Sequence, residues 1–447
     1  MIAGGADRRK VLVVSFYFPP TNKIAAVRLG KFAKYLPEFG WEPIVLTASE
    51  VKGFSQDLPV ETKEASIFRT PYSALGPAVS NKLTGGQRTV HQAAPKISAW
   101  RRILYKVIRS MEPIYALPVI RILILEPIGW YRPAVKQGLE VISKEKIDVI
   151  FSSYGPSVSH IVASKLHKQT GIAWVADFRD LWSLNPYLRK VQLFHFFEKK
   201  LERRVMKGSD LLITVSEPAA KQLQALHCQK VVTIPNGFDE EDYIDKVPLT
   251  TKFTITYTGN IYPGKQTPAS LFEALAELRQ EHSLSPDELE VRFFGSNVLT
   301  TVAPLVEKYR VEDMVKVYGL VSFRESIQRQ KESTILLHLG WNDPRERGFY
   351  TAKIFEYLGA GRPVLAMGLG GDVVDDLLEE TGAGVVVSEV NEVKTLLYRW
   401  MQEFKQSGEV LSHFKPDSAA VSRYTRRQQA GRLAQVLEQT LRQRQTA

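Results

Sequence analysis

Short, nearly unbroken apolar runs recur along this chain, each closed by a turn and most followed by a segment with helical spacing. The first is "KVLVVSFYFPP". A run without alternation suits a strand covered on both faces, as in a parallel sheet, because a strand with one wet face alternates polar and apolar residues. Helical spacing follows from Ala25 to Leu36, then Gly40 and a second strand, "EPIVLT". The same unit returns at "IDVIFSS", "IAWVADF" and "DLLITVS". Strands alternating with helices imply a doubly wound α/β domain.

A second set begins after "VVTIPNGFDEEDY", where Pro235, Asn236 and Gly237 are turn-formers and a polar stretch to about residue 251 reads as a linker. "FTITYTGN", "LEVRFFGS", "MVKVYGLV", "STILLHLG" and "RPVLAMG" are its strands. With 447 residues and 44% hydrophobic composition, there is material for two or three packed cores. The expected organisation is a first domain over 1–240, a second over 251–415, and a helical segment over 416–447. Residues 57–133 fit neither alternating set and read as an insertion.

The formal net charge is +11, which favours anionic partners. No nucleic-acid-binding motif accompanies it, so nucleic acid is not expected. One cysteine, Cys228, rules out an internal disulfide and a cysteine metal cluster. No leader or bilayer-spanning run is evident, and the expected location is cytoplasmic. Within the insertion, "AWRRILYKVIRSM" places Trp100, Ile103, Leu104, Val107, Ile108 and Met111 at helical spacing, with Arg101, Arg102, Lys106 and Arg109 between them. Ala99 to Met111 is then either a packed helix with solvated arginines or a helix lying on an anionic membrane surface.

Ligands in open α/β sheets bind at the carboxyl ends of strands, which directs attention to four stretches. In "FPPTNKIAAVR" a helix is expected to start near Thr21 or Asn22, either of which can cap it or mark an anion-binding N-terminus. In "YTGNIYPGKQTP", Gly259 permits a sharp turn, and Asn260 and Lys265 follow in the loop. Lys265 is placed to neutralise a diphosphate or is simply a solvated lysine. In "VADFRDLW", Asp177, Arg179 and Asp180 follow a buried strand and form either an ion-paired cap or an active-site cluster. In "TAKIFEYLGAGRPVLA", Lys353 and Glu356 share a helix face. They are a surface ion pair worth under about 1 kcal/mol, or a site where the carboxylate takes sugar hydroxyls and the lysine a phosphate. Metal-ligand spacing is absent.

Taken in order, these stretches resemble glycosyltransferase family 4, a group of GT-B enzymes. "SFYFPPTNKIAAVRLGKFAKYLPEFGWEPIVLT", "ITVSEPAAKQL" and "VVTIPNGFD" are similar to its first domain, and "YTGNIYPGK" and "KIFEYLGAGRPVLA" to its donor-binding half. The resemblance implies two Rossmann-like domains facing across a cleft, with "SRYTRRQQAGRLAQVLEQTL" returning to the first. It implies transfer of a sugar from a nucleotide-diphosphate-sugar donor to a glycan or lipid-linked acceptor. The reaction would be retaining and metal-independent, with no cofactor beyond that co-substrate. By position, Glu356 would hold the ribose and Lys265 the diphosphate.

The chain departs from the family pattern at several places. Gly348 stands where a first glutamate is usual, so that sugar contact is either lost or supplied from elsewhere, by Lys353 or the backbone near Phe349. Asn260 replaces an arginine, Arg179 stands where a histidine is common, and "TNKIAA" lacks the usual glycines. A non-catalytic glycosyltransferase-like subunit is the alternative these departures support. A sugar-nucleotide epimerase ranks below it.

Overall fold

The computed structural model describes residues 8–49, 51, 54–56, 58–62, 65–72, 127–185, 192–341, 348–368 and 370–446; side chains are described from residue 195 onward in the helix that begins at residue 192. The basic stretch from Ala99 to Met111 lies outside these residues. The chain divides into two compact units, Met1–Ile234 with Ala430–Ala447, and Pro235–Gln429.

The first unit is built from β1 (Arg9–Val14), α1 (Ile24–Tyr35), β2 (Trp41–Ala48), β3 (Ser66–Thr70), α2 (Tyr131–Glu145) and β4 (Val149–Ser153). It continues through α3 (Val158–Thr170), β5 (Ala173–Phe178), α4 (Gln192–Met206), β6 (Leu211–Thr214), α5 (Glu217–His227) and β7 (Val231–Thr233). Its parallel sheet runs β3-β2-β1-β4-β5-β6-β7. Val11 to Val14 are at most 1% exposed, the double-sided burial that their unbroken apolar run requires. α1 turns Leu29, Phe32 and Ala33 onto that core. A 3-10 turn follows, and Gly40, at φ +80°, ends it in the left-handed region that suits glycine. β3, inside the supposed insertion, extends the sheet at its edge by pairing in parallel with β2. Its mixed polar and apolar residues, mostly exposed or half-exposed, explain why the apolar-run criterion passes over it.

The second unit contains β8 (Phe253–Thr258), α6 (Ala269–His282), β9 (Leu289–Phe294), α7 (Val298–Thr301), α8 (Ala303–Tyr309), β10 (Val315–Gly319) and α9 (Phe323–Lys331). β11 (Ile335–Leu339), α10 (Ala352–Ala360), β12 (Val364–Met367), α11 (Val373–Thr381), β13 (Gly384–Val387), α12 (Val390–Ser407) and α13 (Ser418–Ser422) complete it. The sheet order is β10-β9-β8-β11-β12-β13, again parallel. One face is sealed by α6 and α12 through Leu271, Leu275, Leu397 and Trp400. The other is sealed by α10 and α11 through Ile354, Phe355, Leu377 and Leu378.

The stretch expected to be a linker is part of this second core. Phe238 packs with Leu358 and Tyr424, and Asp239 caps a 3-10 turn over Glu240–Tyr243. Gly237 is required there: a Cβ would meet the Tyr424 carbonyl oxygen at 2.0 Å. The expected C-terminal segment is also divided. α13 belongs to the second unit, whereas Ala430, Leu433, Ala434 and Leu437 of α14 (Arg426–Gln445) lie in the core of the first.

Candidate functional site

In the second unit the strand order reverses between β8 and β11, and a crevice at such a switch point is where an open α/β sheet takes its ligand. β8 delivers Gly259, whose φ of +111° makes the sharp turn. A Cβ at Gly259 would also meet Lys353 Cε at 2.8 Å. The glycine is therefore what lets the Lys353 stem lie across the end of β8. Asn260 stabilises the turn from the other side: its Oδ1 accepts from Ser296 N–H at 3.0 Å and from Ser296 Oγ at 2.7 Å.

The rest of the loop is tied to β11. Gln266 is buried, its Nε2 donates to the Leu339 carbonyl at 2.6 Å, and its Oε1 accepts from Tyr262 N–H at 3.2 Å. Lys265 is half-buried beside this tie, with its ammonium 6.0 Å from the centre of the Trp341 ring. The loop thus carries one lysine across the gap between the two strand ends at the switch point.

Lys353 and Glu356 share a face of α10 but do not pair with each other. The Lys353 ammonium donates to Tyr257 Oη at 2.7 Å and to the Asn260 carbonyl at 3.3 Å. Glu356 Oε2 accepts from Gln330 Nε2 at 3.3 Å. Burial pushes the lysine down to about 8, opposed by Glu356, and pushes the Glu356 carboxyl above its ordinary range, opposed by Gln330 and Lys353. The exposed ion-pair alternative is therefore set aside. Two half-desolvated groups of opposite sign are held apart on hydrogen bonds to neutral partners.

The residues that hold them were not singled out from the sequence. Gln330, on α9, is completely buried and also donates to Thr258 Oγ1 at 3.0 Å, while its own Oε1 has no partner. The signal was present: Ile327 and Gln330 share the buried face of a helix that is otherwise polar. Tyr357 Oη accepts from Thr258 N–H at 3.1 Å and closes the end of β8. His338 Nε2 lies 3.1 Å from Thr351 Oγ1, so the residue at the N-cap of α10 has no capping hydrogen bond to its own helix. Burial, with Lys353 second, drives His338 down to about 3 and keeps it neutral. Phe349 is half-buried next to Gly348, whose N–H donates to Asp372 Oδ1 at 2.6 Å.

In the first unit the expected trio separates. Asp177 is fully buried and accepts from Arg28 Nε at 3.3 Å, Arg28 Nη2 at 3.1 Å and Ser153 Oγ at 2.8 Å. Arg28 Nη2 also donates to the Ile234 carbonyl at 2.9 Å. Strand alternation turns Asp177 inward, toward α1, so it is an internal tie rather than a cleft-facing acid. Arg179 lies past the end of the strand. Its Nε donates to the Tyr154 carbonyl at 3.1 Å, and its Nη2 pairs with the half-exposed Asp180 at 2.7 Å. Thr21 and Asn22 do not cap α1. Lys23 occupies that position, the Thr21 hydroxyl donates to Gln56 Oε1 at 3.3 Å, and Asn22 N–H donates to the Ser55 carbonyl at 2.8 Å.

No curated protein matches the chain by sequence. Residues 25–242 match the sequence pattern of Glycosyltransferase Family 4. That stretch, just under half of the chain, carries the likeness to the family. Solved structures extend the likeness beyond the matched residues. Sucrose-phosphate synthase from Thermosynechococcus elongatus superposes at a TM-score of 0.62 with 13% identity, over 97% of this chain and 99% of that one. HepE of Anabaena, solved with UDP and glucose, gives 0.60 with 14% identity over 96% and 100%. The lipopolysaccharide outer core galactosyltransferase WaaB, in its apo form, gives 0.54 with 13% identity over 96% and 99%. At these identities the likeness is one of fold, the GT-B arrangement of two parallel α/β units. The switch point just described lies beyond the stretch that matches the family.

Proposed function

We propose that this glycosyltransferase moves a sugar from a nucleotide-diphosphate-sugar to a glycan or lipid-linked acceptor at the cytoplasmic face of a membrane, with retention and without a metal. The observation that carries the donor site is the convergence on one strand switch point of a glycine turn, two lysines and a carboxylate. Glu356, once ionised, accepts hydrogen bonds from the two ribose hydroxyls. Lys353 and Lys265 face the diphosphate and stabilise the negative charge that grows as the sugar leaves. Such preorganised charge is often the largest catalytic contribution. The uracil nucleotides bound to HepE make UDP-sugars the first donors to test. Titration calorimetry with a UDP-sugar panel is the test. Glu356→Ala and Lys265→Ala are each expected to weaken binding at least tenfold, and unchanged affinity would reject the site.

A second reading, a binding subunit without transferase activity, is favoured by one observation. Gly348, at the place where the family resemblance calls for a first carboxylate, has φ +94°, a backbone that a glutamate would rarely adopt. Release of free nucleotide on incubation with donor and acceptor separates the two readings.

A further inference from the structure

α4 carries two neighbouring exposed phenylalanines on its outer face. Its two glutamates turn inward: Glu198 is buried, and Glu202 is fully buried, accepting from Ser183 N–H at 2.8 Å and lying 3.1 Å from His227 Nε2. Val205 and Met206 face inward with them. Helical spacing then leaves Phe196, Phe197, Lys200, Arg203, Arg204 and Lys207 on one outer arc, all exposed. Among the described residues none of these four cations is in an ion pair. Phe196 and Phe197 are 62% and 49% exposed and stack edge to face at 5.7 Å.

A purely solvated helix face has no use for two neighbouring open phenyl rings, whose burial is favourable wherever an apolar phase is offered. A purely protein-facing patch has no use for four unpaired cations, because interface cores are depleted of charge. A bilayer surface of anionic lipid answers both. The rings enter the acyl boundary while the long lysine and arginine stems reach the phosphate layer. We propose that the outer face of α4 docks the protein on anionic membranes. Nothing in this rests on the donor site, which belongs to the other unit.

The test is co-sedimentation of the full chain with vesicles of phosphatidylglycerol and phosphatidylcholine, against phosphatidylcholine alone. Binding is expected only to the anionic vesicles and falls as salt is raised. Phe196→Ser with Phe197→Ser is expected to weaken it at least tenfold, and Lys200→Glu with Arg204→Glu at least as much. All four positions are exposed, so thermal unfolding and nucleotide-sugar affinity are expected to be unchanged, which separates lost docking from lost folding. Three results would overturn the proposal. One is equal binding by wild type and both variants. Another is no preference for anionic vesicles. The third is concentration-dependent self-association that the phenylalanine variant abolishes in the absence of lipid.

Discussion

Lys353 has a pH signature of its own. Held at about 8 in the free protein, it carries its charge below that value and loses it above. A diphosphate beside it favours the charged form and raises its pKa on binding. Donor binding between pH 8 and the raised value therefore takes up a proton, and affinity falls as pH climbs through that window. Calorimetry in buffers of different ionisation enthalpy reads this uptake directly; at pH 8.5 it is expected in the wild type and absent in Lys353→Met. Glu356 sets the opposite limb. Its carboxyl is raised, so affinity falls as pH drops through a value above the ordinary carboxylate range. Gln330 donates to the ionised form. Gln330→Met removes that support and moves the acid limb to higher pH, and a pH profile of donor affinity that keeps its acid limb in place would contradict it. At this scale the sequence was half legible. Gly259, Lys353 and Glu356 could be read because a glycine turn and a charged pair on an apolar helix break the local pattern. Gln330 and His338 could not be read as directly, because what defines them is the atom they touch across the fold.

Asp177 shows what an element does to a residue. The same three charged letters at a strand end support a catalytic cluster or a structural tie, and only the pleat decides between them. Alternation along β5 turns Asp177 toward Arg28 of α1, while Arg179, two residues on, lies over the Tyr154 carbonyl outside the strand. Removing one partner of a fully buried pair leaves the other charge uncompensated, at a cost of about 3–5 kcal/mol. Asp177→Ala is accordingly expected to lower stability in urea unfolding by that amount, with any loss of activity following the loss of fold. A variant as stable as wild type but inactive would return Asp177 to the chemistry. The strands that sequence inspection recovers are β1, β2, β4 to β6, β8, β9, β11 and β12, whose apolar runs are their own signature, and β10, an edge strand with exposed residues that Val315 and Val317 still mark. β3, β7 and β13 escaped it because each lies at a sheet edge, is short, and carries half-exposed residues.

The chain enters the second unit at Pro235 and leaves it at Gln429, so the first unit is completed only by Ala430–Ala447. This is the part of the architecture least visible in the sequence, because helical spacing in α14 shows that a face is apolar but not which core it fills. Leu433 and Leu437 are fully buried against the strands of the first unit, with Ala430 and Ala434 beside them. Each buried leucine contributes about 1.5–3 kcal/mol, so removing the helix costs on the order of 5 kcal/mol. That is comparable to the whole stability of many domains, commonly about 5–15 kcal/mol. The second unit keeps its own two core layers without these residues. Truncation after Gln429 is therefore expected to open the first unit selectively. Hydrogen exchange would show protection lost in β1, β2 and β4 while β8, β9 and β11 stay protected. If both sheets lost protection together, the second unit would depend on the first, and its donor site could not be studied apart from it.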